Sequence, residues 1–420
     1  MVEFLPKENK CIMIQIPITV IEGDGIGPEI TAAALQVLEA AVAKAYSGQR
    51  NLVWEFVPAG GQALQSGSDP LPPDTLQSIR TNKITLKGPL TTPVGGGFSS
   101  LNVRLRQELD LYVCLRPVKS IAGLPSPLCQ AGELDVVVFR ENSEDLYTGI
   151  EFPADSPSNE KFLSIFAKEF PREFQKIPIS REVGLGLKPI SREGSRRFIR
   201  AAIRWALEHQ RRKLTLVHKG NIMKYTEGAF LDWAYQVAET EFTQTCFTQR
   251  QYKMIAEKES RTEADKARAR AEAEGRLQVN DLIADVTFEQ AILQPRTFDV
   301  IATTNLNGDY LSDAFAALIG GVGISPSANL NPELGIGIFE ANHGSADDLV
   351  GKDCANPCSL ILSGAMLLDF IHWSEAANLV RYALQHAIAS KQVTFDLARL
   401  IPDAAVLGTR AFTQAILATL

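Results

Sequence analysis

The sequence of 420 residues predicts an α/β fold in at least two domains. Three observations predict it. Short β-branched runs alternate with helical stretches along the chain. Polar or charged groups follow those runs at corresponding ends, where open α/β sheets bind ligands. The chain is also longer than one hydrophobic core usually organises.

Taken in order, the first strand candidate is ITVIE (18–22), which runs into the glycine-rich turn GDGIGPE (23–29). KITLK (83–87) leads into GPLTTPVGGG, LYVCL (111–115) is followed by Arg116, and DVVVF (135–139) by Arg140. Residues 153–190 carry many prolines and glycines and read as an inserted arm. In 196–209, Phe198, Ile199, Ala202, Ile203, Ala206 and Leu207 form one apolar stripe of an amphipathic helix. LTLV (214–217) leads to Lys219. Residues 251–276 are dominated by Ala, Glu, Lys and Arg and read as a solvated helix with i,i+4 charge pairs. DVIAT (299–303) leads to NLNGDYLSD, and GIGIF (335–339) precedes the loop HGSADDLVGKD (343–353).

Composition narrows the functional classes. Apolar content of 45% and charged content of 22% are ordinary for a globular protein. A net charge of −7 implies no broad basic face, so nucleic acid and anionic membrane are not expected partners. A polyanionic substrate would need a local positive island. The N-terminus has Glu3, and its apolar run is broken by Gln15 and Pro17, so no secretory signal is expected. No apolar stretch reaches membrane-spanning length. Six cysteines in a chain this long are no disulfide framework, and Cys354 and Cys358 lack zinc-site spacing. A cytoplasmic protein is the expectation.

Asp309 and Asp313 stand four apart at the start of a helical run, which puts both carboxylates on one face. Acids there complement the helix dipole, or hold a hard divalent cation if basic groups converge on them. Asp285, in DLIADV, is a further oxygen donor. No dinucleotide fingerprint and no phosphate-binding P-loop occur, and the spacing of GDGIGPE is wrong for a Rossmann turn. A nicotinamide cofactor would need another loop architecture. No G-x-S-x-G occurs, and the five histidines suggest no hydrolase base.

Together, IEGDGIGPE, GPLTTPVGGGFSSLNVRLRQELDLYVCLRP, VVVFRENSEDLYTGIE, LVHKGNIMKYTEGAF, NLNGDYLSD and the HG loop carry a resemblance. From about residue 17 to about residue 400 the chain resembles the decarboxylating β-hydroxyacid dehydrogenases of the isocitrate/isopropylmalate dehydrogenase family, on the homodimeric bacterial isocitrate dehydrogenase pattern. The resemblance implies a non-Rossmann α/β fold. A large domain (1–111 and 320–420) would bear the cofactor loops, and a small domain (112–144 and 192–319) the metal and substrate residues. A clasp (145–191) would help two copies dimerise, with active sites shared between subunits.

It also implies roles residue by residue. Ser100, Asn102, Arg106, Arg116 and Arg140 would hold isocitrate, whose three carboxylates suit bidentate arginines. Asp309 and Asp313, with Asp285 from the partner subunit, would hold Mg²⁺ or Mn²⁺. Tyr147 would protonate the enolate left by loss of CO₂, assisted by Lys219 from the other subunit. Thr91, His343, Gly344, Ser345, Ala346, Asp348, Leu349, Asn356 and Arg399 would bind the cofactor.

Two departures from the family pattern stand out. The charged segment 251–276 is an insertion, and the HG loop is altered. NADP-using relatives carry Lys and Tyr where this chain has Asp348 and Leu349, and Tyr where it has Phe395, while Arg399 keeps the pattern. A carboxylate accepts from the free ribose hydroxyls of NAD and repels the phosphate of NADP. A tenfold preference needs only about 1.4 kcal/mol. NAD is therefore the expected cofactor, with Asp348 the selector, Asp347 a solvated neighbour, and NADP the alternative through Arg399. Homoisocitrate, isopropylmalate and tartrate are alternative substrates, against which Ser100 and Asn102 speak. A non-catalytic regulatory subunit would have lost Tyr147, Lys219 and the three aspartates, and all are present.

Overall fold

The computed structural model describes residues 13–91, 100–126, 134–177 and 182–420. The chain start, residues 92–97 of the GPLTTPVGGG motif and residues 178–181 of the arm lie outside them. In chain order the strands are Ile14–Ile21 (β1), Arg50–Phe56 (β2), Ile84–Lys87 (β3), Val113–Lys119 (β4), Asp135–Glu141 (β5), Glu151–Phe152 (β6), Leu185–Gly186 (β7), Lys213–His218 (β8), Cys246–Thr248 (β9), Leu277–Ile283 (β10), Val300–Thr303 (β11), Pro326–Asn331 (β12) and Ile336–Ala341 (β13). The chain divides into two compact units: 1–139 with 288–301 and 311–420, and 140–287 with 302–310.

In the first unit the strand order is β2-β1-β3-β13-β12-β4. β1, β2, β3 and β13 run parallel, and β12 is antiparallel to both β13 and β4. The carboxyl ends of β1, β3 and β13 therefore emerge on one side, at the turn 22–26, at Gly88 and at the HG loop. The helix Gly27–Tyr46 buries Ile30, Ala34, Val37, Leu38 and Ala41, the spacing of one apolar face. It packs on Cys358–Phe370, a helix apolar nearly all round and correspondingly buried. Gly364 allows that approach, because a Cβ there would lie 2.5 Å from Leu38.

In the second unit β8 lies beside β10, and β9 follows. The helix Arg192–Glu208 buries Phe198, Ile199, Ala202, Ile203 and Ala206, most of the expected stripe, with Leu207 half-buried. The arm forms the antiparallel pair β6 and β7 with the helix Pro157–Glu169 between them. Phe152, Phe162, Phe166, Phe170 and Phe174 stack along it.

By compactness, residues 112–139, 288–301 and 311–319 group with the first unit. Three local expectations are corrected. The segment 251–276 is not one helix but two, Gln249–Lys258 and Arg261–Ala273. Ser260 caps the second by accepting from Glu263 N, and Thr248 with Gln251 forms a capping box on the first. Of its charge pairs, Lys266–Glu263 and Arg268–Asp265 are i,i+3 and Arg270–Glu274 is i,i+4. Arg116 does not end a strand: β4 continues to Lys119, so Arg116 lies within it. The helix Asn305–Ala317 starts one turn before Asp309, so neither Asp309 nor Asp313 sits in its first turn. Dipole complementation therefore does not account for them.

Candidate active site

The first unit ties the cofactor-loop candidates together. The Asp24 carboxylate accepts from Thr91 N at 2.8 Å and Gly61 N at 2.7 Å. Ile26 N donates to Ser345 O at 2.9 Å, and Thr91 Oγ1 donates to Ser345 Oγ at 2.8 Å. Glycine is required in this cradle: Gly25 has φ +60°, and a Cβ there would sit 2.1 Å from Ser345 O and 2.7 Å from Asp347 Oδ1. Asp347 is exposed, as expected of a solvated neighbour, and its carboxylate stands beside the GDGIGPE turn. Asp348 is exposed and takes no protein hydrogen bond among the described residues.

His343 donates from Nδ1 to Gly344 O at 2.9 Å, which makes Nε2 an acceptor. Burial holds its pKa below the ordinary histidine value, so the ring is neutral at neutral pH, and buried Nε2 has no partner among the described residues. An orphaned acceptor in a loop between strand ends fits a cofactor. Asn356 is already committed: its amide donates to Asp396 at 2.8 Å and its carbonyl accepts from Cys358 N at 3.0 Å. Arg399 is exposed, with its guanidinium 5.8 Å from the Phe395 ring centre.

The same unit holds substrate candidates. Ser100 stands at the N-cap of the helix Leu101–Glu108, and its side chain makes no capping hydrogen bond. Asn102 and Arg106 lie four apart on that helix, so they share a face. Asn102 Oδ1 and Arg106 Nε are buried without a partner among the described residues. Such groups cost stability unless a ligand satisfies them. Arg116, 6% exposed, donates to Ser312 Oγ at 2.6 Å and Asp313 Oδ1 at 3.2 Å, and Asn342 donates to Asp313 as well.

Three residues here were missed at the level of sequence. Glu340, at the end of β13, pairs with Lys87 at the end of β3, accepts from Asn329 Nδ2 at 2.7 Å and lies 3.7 Å from Arg106. Burial pushes the Glu340 carboxyl up, but Lys87 and Arg106 outweigh it and hold its pKa at about 2. The available signals were a lysine at the end of an apolar run before Gly-Pro and a glutamate ending GIGIFE.

In the second unit Arg140, 1% exposed, donates from Nε to Asn305 Oδ1 at 2.8 Å and from Nη1 to Asp309. Its stem passes Gly308, where a Cβ would lie 2.6 Å from Arg140 Cβ, so glycine in NGD makes room for it. The Tyr147 hydroxyl donates to the other oxygen of Asp309, and its ring lies 4.7 Å beneath the Arg140 guanidinium. Arg140, Tyr147 and Asp309 are therefore one cluster. Lys219 and Asp285 form a separate ion pair, half-buried and exposed respectively. Lys219 draws the Asp285 carboxyl below its ordinary pKa.

For a metal, the donor chemistry fits: aspartate oxygens suit Mg²⁺ or Mn²⁺. Asp309 and Asp313 present them from successive turns of one helix. Among the described residues of one chain, no three His, Cys, Asp or Glu residues gather into a metal site.

The family pattern described as isocitrate/isopropylmalate dehydrogenase matches residues 17–416. The chain belongs to this family. It is 47% identical over 400 residues to an isocitrate dehydrogenase of Staphylococcus aureus (strain MSSA476), covering 95% of this chain and 94% of that one. It is 46% identical over 400 residues to one from Pseudomonas aeruginosa (strain UCBPP-PA14), covering 95% and 92%. Both relatives are named for NADP, which leans against the NAD expected from Asp348. The crystal structure of isocitrate dehydrogenase from Methylococcus capsulatus is similar, with a TM-score of 0.76 and 36% identity over 96% of this chain and 99% of that one. The expected isocitrate/isopropylmalate dehydrogenase-like α/β fold is borne out. Among the described residues no helix is long and apolar enough to cross a membrane, and Cys114, Cys246, Cys354 and Cys358 are free thiols.

Proposed function

We propose that the chain oxidatively decarboxylates isocitrate to 2-oxoglutarate and CO₂ with a nicotinamide dinucleotide as hydride acceptor, the tricarboxylic acid cycle reaction, as a cytoplasmic homodimer. One observation carries the reading: Arg106, Arg116 and Arg140 are each at most 9% exposed, and each faces a carboxylate of the protein. Three buried guanidiniums are costly unless they serve anions, and isocitrate is a tricarboxylate. Ser100 and Asn102 add neutral polar contacts, and the orphaned Asn102 Oδ1 can accept from a hydroxyl. When bound, Mg²⁺ or Mn²⁺ would polarise the C2 hydroxyl and the nicotinamide would take the hydride, with Asp309, Asp313 and a partner's Asp285 as metal ligands.

The chain's own residues do the rest. The arginines orient the carboxylates, so that the C3–carboxylate bond breaks and its electron pair remains on the substrate as CO₂ leaves. Tyr147 then delivers its phenolic proton to C3, and Asp309 holds that hydroxyl in place beforehand. Lys219 assists the proton transfers: the C2 hydroxyl loses its proton to solvent as the hydride leaves, and Tyr147 regains its own from solvent. Lys219 and Asp285 are paired within one chain, which agrees with both being lent together to a neighbouring subunit.

On the cofactor the observations pull apart. The exposed, unengaged Asp348 and the loss of the Lys–Tyr pair favour NAD, while the names of the relatives and the exposed Arg399 favour NADP. Steady-state reduction of each cofactor with saturating isocitrate and Mg²⁺ decides. For NAD, kcat/KM should exceed that for NADP by about tenfold or more. Asp348→Lys with Leu349→Tyr should then shift the preference toward NADP without moving the isocitrate KM. If the unaltered chain uses NADP as well as NAD, Asp348 is not the selector. No turnover of isocitrate with either cofactor sinks the reading itself.

A further inference from the structure

We propose that Lys188 is a positioning residue that holds the Tyr147 turn and the Lys219 turn in one geometry. The proposal deepens, and rests on, the roles read above for Tyr147 and Lys219. Lys188 follows β7 on the arm, and its side chain is 15% exposed. Its ammonium bridges two fully buried carboxylates, Asp145 and, at 3.0 Å, Glu227.

Asp145 opens the short helical turn Asp145–Thr148 that carries Tyr147. Its backbone has φ +71°, a strained value for a residue with a Cβ. Surrounding contacts hold it there: Asp145 N donates to Pro189 O at 3.0 Å, Thr148 Oγ1 to Asp145 O at 2.9 Å, and Leu306 N to Asp145 Oδ2 at 3.0 Å. Lys188 adds the charge that keeps this carboxylate in place.

Glu227 does the same for the other turn. It accepts from Lys219 N at 2.5 Å, from Thr304 Oγ1 at 3.0 Å and from Asn307 Nδ2 at 2.8 Å. The backbone of Lys219 is thereby fixed to the start of the helix that carries Asp309. A buried carboxylate left without its cation relaxes toward water or takes up a proton, and either change loosens the clamp. One ammonium thus determines where the Tyr147 hydroxyl and the Lys219 chain stand, though it reaches neither reacting group. Proton transfer is sensitive to such placement, while substrate affinity set by the arginines is not.

The test is Lys188→Met in the full-length enzyme. We expect kcat for isocitrate oxidation to fall by about tenfold or more, with isocitrate KM changed by less than about threefold. The solvent deuterium isotope effect on kcat should rise as proton transfer becomes limiting, and Lys188→Arg should restore most of the rate. A variant that folds, by circular dichroism, and keeps both kcat and isotope effect overturns the proposal. So does a variant whose kcat falls with an unchanged isotope effect, because that marks a merely structural loss. If Lys188→Met does not fold, Lys188→Arg and Glu227→Gln carry the test. The arginine variant should stay near the original kcat, and Glu227→Gln, which keeps the shape but weakens the clamp on Lys219 N, should show the raised isotope effect. Its absence there overturns the proposal too. Tyr147→Phe and Lys219→Met in the same assays separate the two levels. Undiminished rates in those variants defeat the proton-transfer reading itself, whereas their loss beside an unaffected Lys188→Met defeats only the inference about Lys188.

Discussion

The same chemical pair, a lysine ammonium on a carboxylate, occurs in both units with opposite surroundings. In the first, Lys87 and Glu340 are 2% and 9% exposed in their side chains. In the second, Lys219 and Asp285 are 31% and 65% exposed. Glu340 is enclosed by Lys87, Asn329 and Arg106, so its charge is balanced permanently by the protein. Asp285 and Lys219 can part without leaving a charge buried. The difference separates a pair that the fold holds in place from a pair free to exchange partners: burial decides, since the partners are alike.

The largest expected effect tests the buried member. Glu340→Gln leaves Lys87 without its carboxylate inside the first unit, and loss of one partner of a buried pair costs about 3–5 kcal/mol. Thermal unfolding should show a marked drop in the midpoint. The pH dependence follows from the lowered carboxyl. The stabilisation is complete above the unfolded carboxylate range and is lost as pH falls from about 5 toward about 2, because the unfolded chain takes up the proton first. The acid-side loss of midpoint should therefore be shallower in Glu340→Gln than in the original chain. An equally steep loss would mean that Glu340 is not held ionised.

A middle-sized effect belongs to Arg140, buried like Glu340 but reading as a substrate ligand. Arg140→Lys keeps the charge and loses the fork. Isocitrate KM should rise by about 10- to 100-fold while cofactor KM stays unchanged. Steady-state kinetics with each substrate varied would remove Arg140 from the site if isocitrate KM did not move.

The smallest effect on stability is expected at the exposed pair. Asp285→Asn should leave the unfolding midpoint almost unchanged yet raise the Mg²⁺ concentration needed for half-maximal activity. A large fall in midpoint would erase the contrast with Glu340. An unchanged Mg²⁺ requirement would remove Asp285 from the metal set.

Much of this was legible from sequence because it is local. Runs such as DVVVF and LTLV are too apolar and β-branched to be anything but buried strands, and β5 and β8 contain them. The stripe in 196–209 follows the helical period and is buried as that period requires. Spacing put Asp309 and Asp313 on one helix face. Errors arose where a local pattern is ambiguous. LYVCL could not show that β4 would run on through Arg116 to Lys119, beyond its pairing with β12 at 113–115. The charged segment 251–276 reads as continuous helix unless Ser260 is recognised as a cap, and a serine between glutamate and arginine looks like any solvated position.

What the sequence determined by itself is the type of element and the kind of chemistry: alternating strands and helices, arginines and aspartates in motif order, a loop with two acids. These follow from periodicity and side-chain identity, which act over a few residues. The tertiary structure alone decided which charges meet. Glu340 lies 253 residues from Lys87, and only the parallel pairing of β3 with β13, which sets Glu340 beside Lys87, joins them. Lys188 finds Asp145 and Glu227 from opposite directions along the chain, and Asp347 finds Gly25 across the sheet's carboxyl edge. Long-range pairing depends on strand register and backbone clearance, and neither is written in any window of sequence short enough to read.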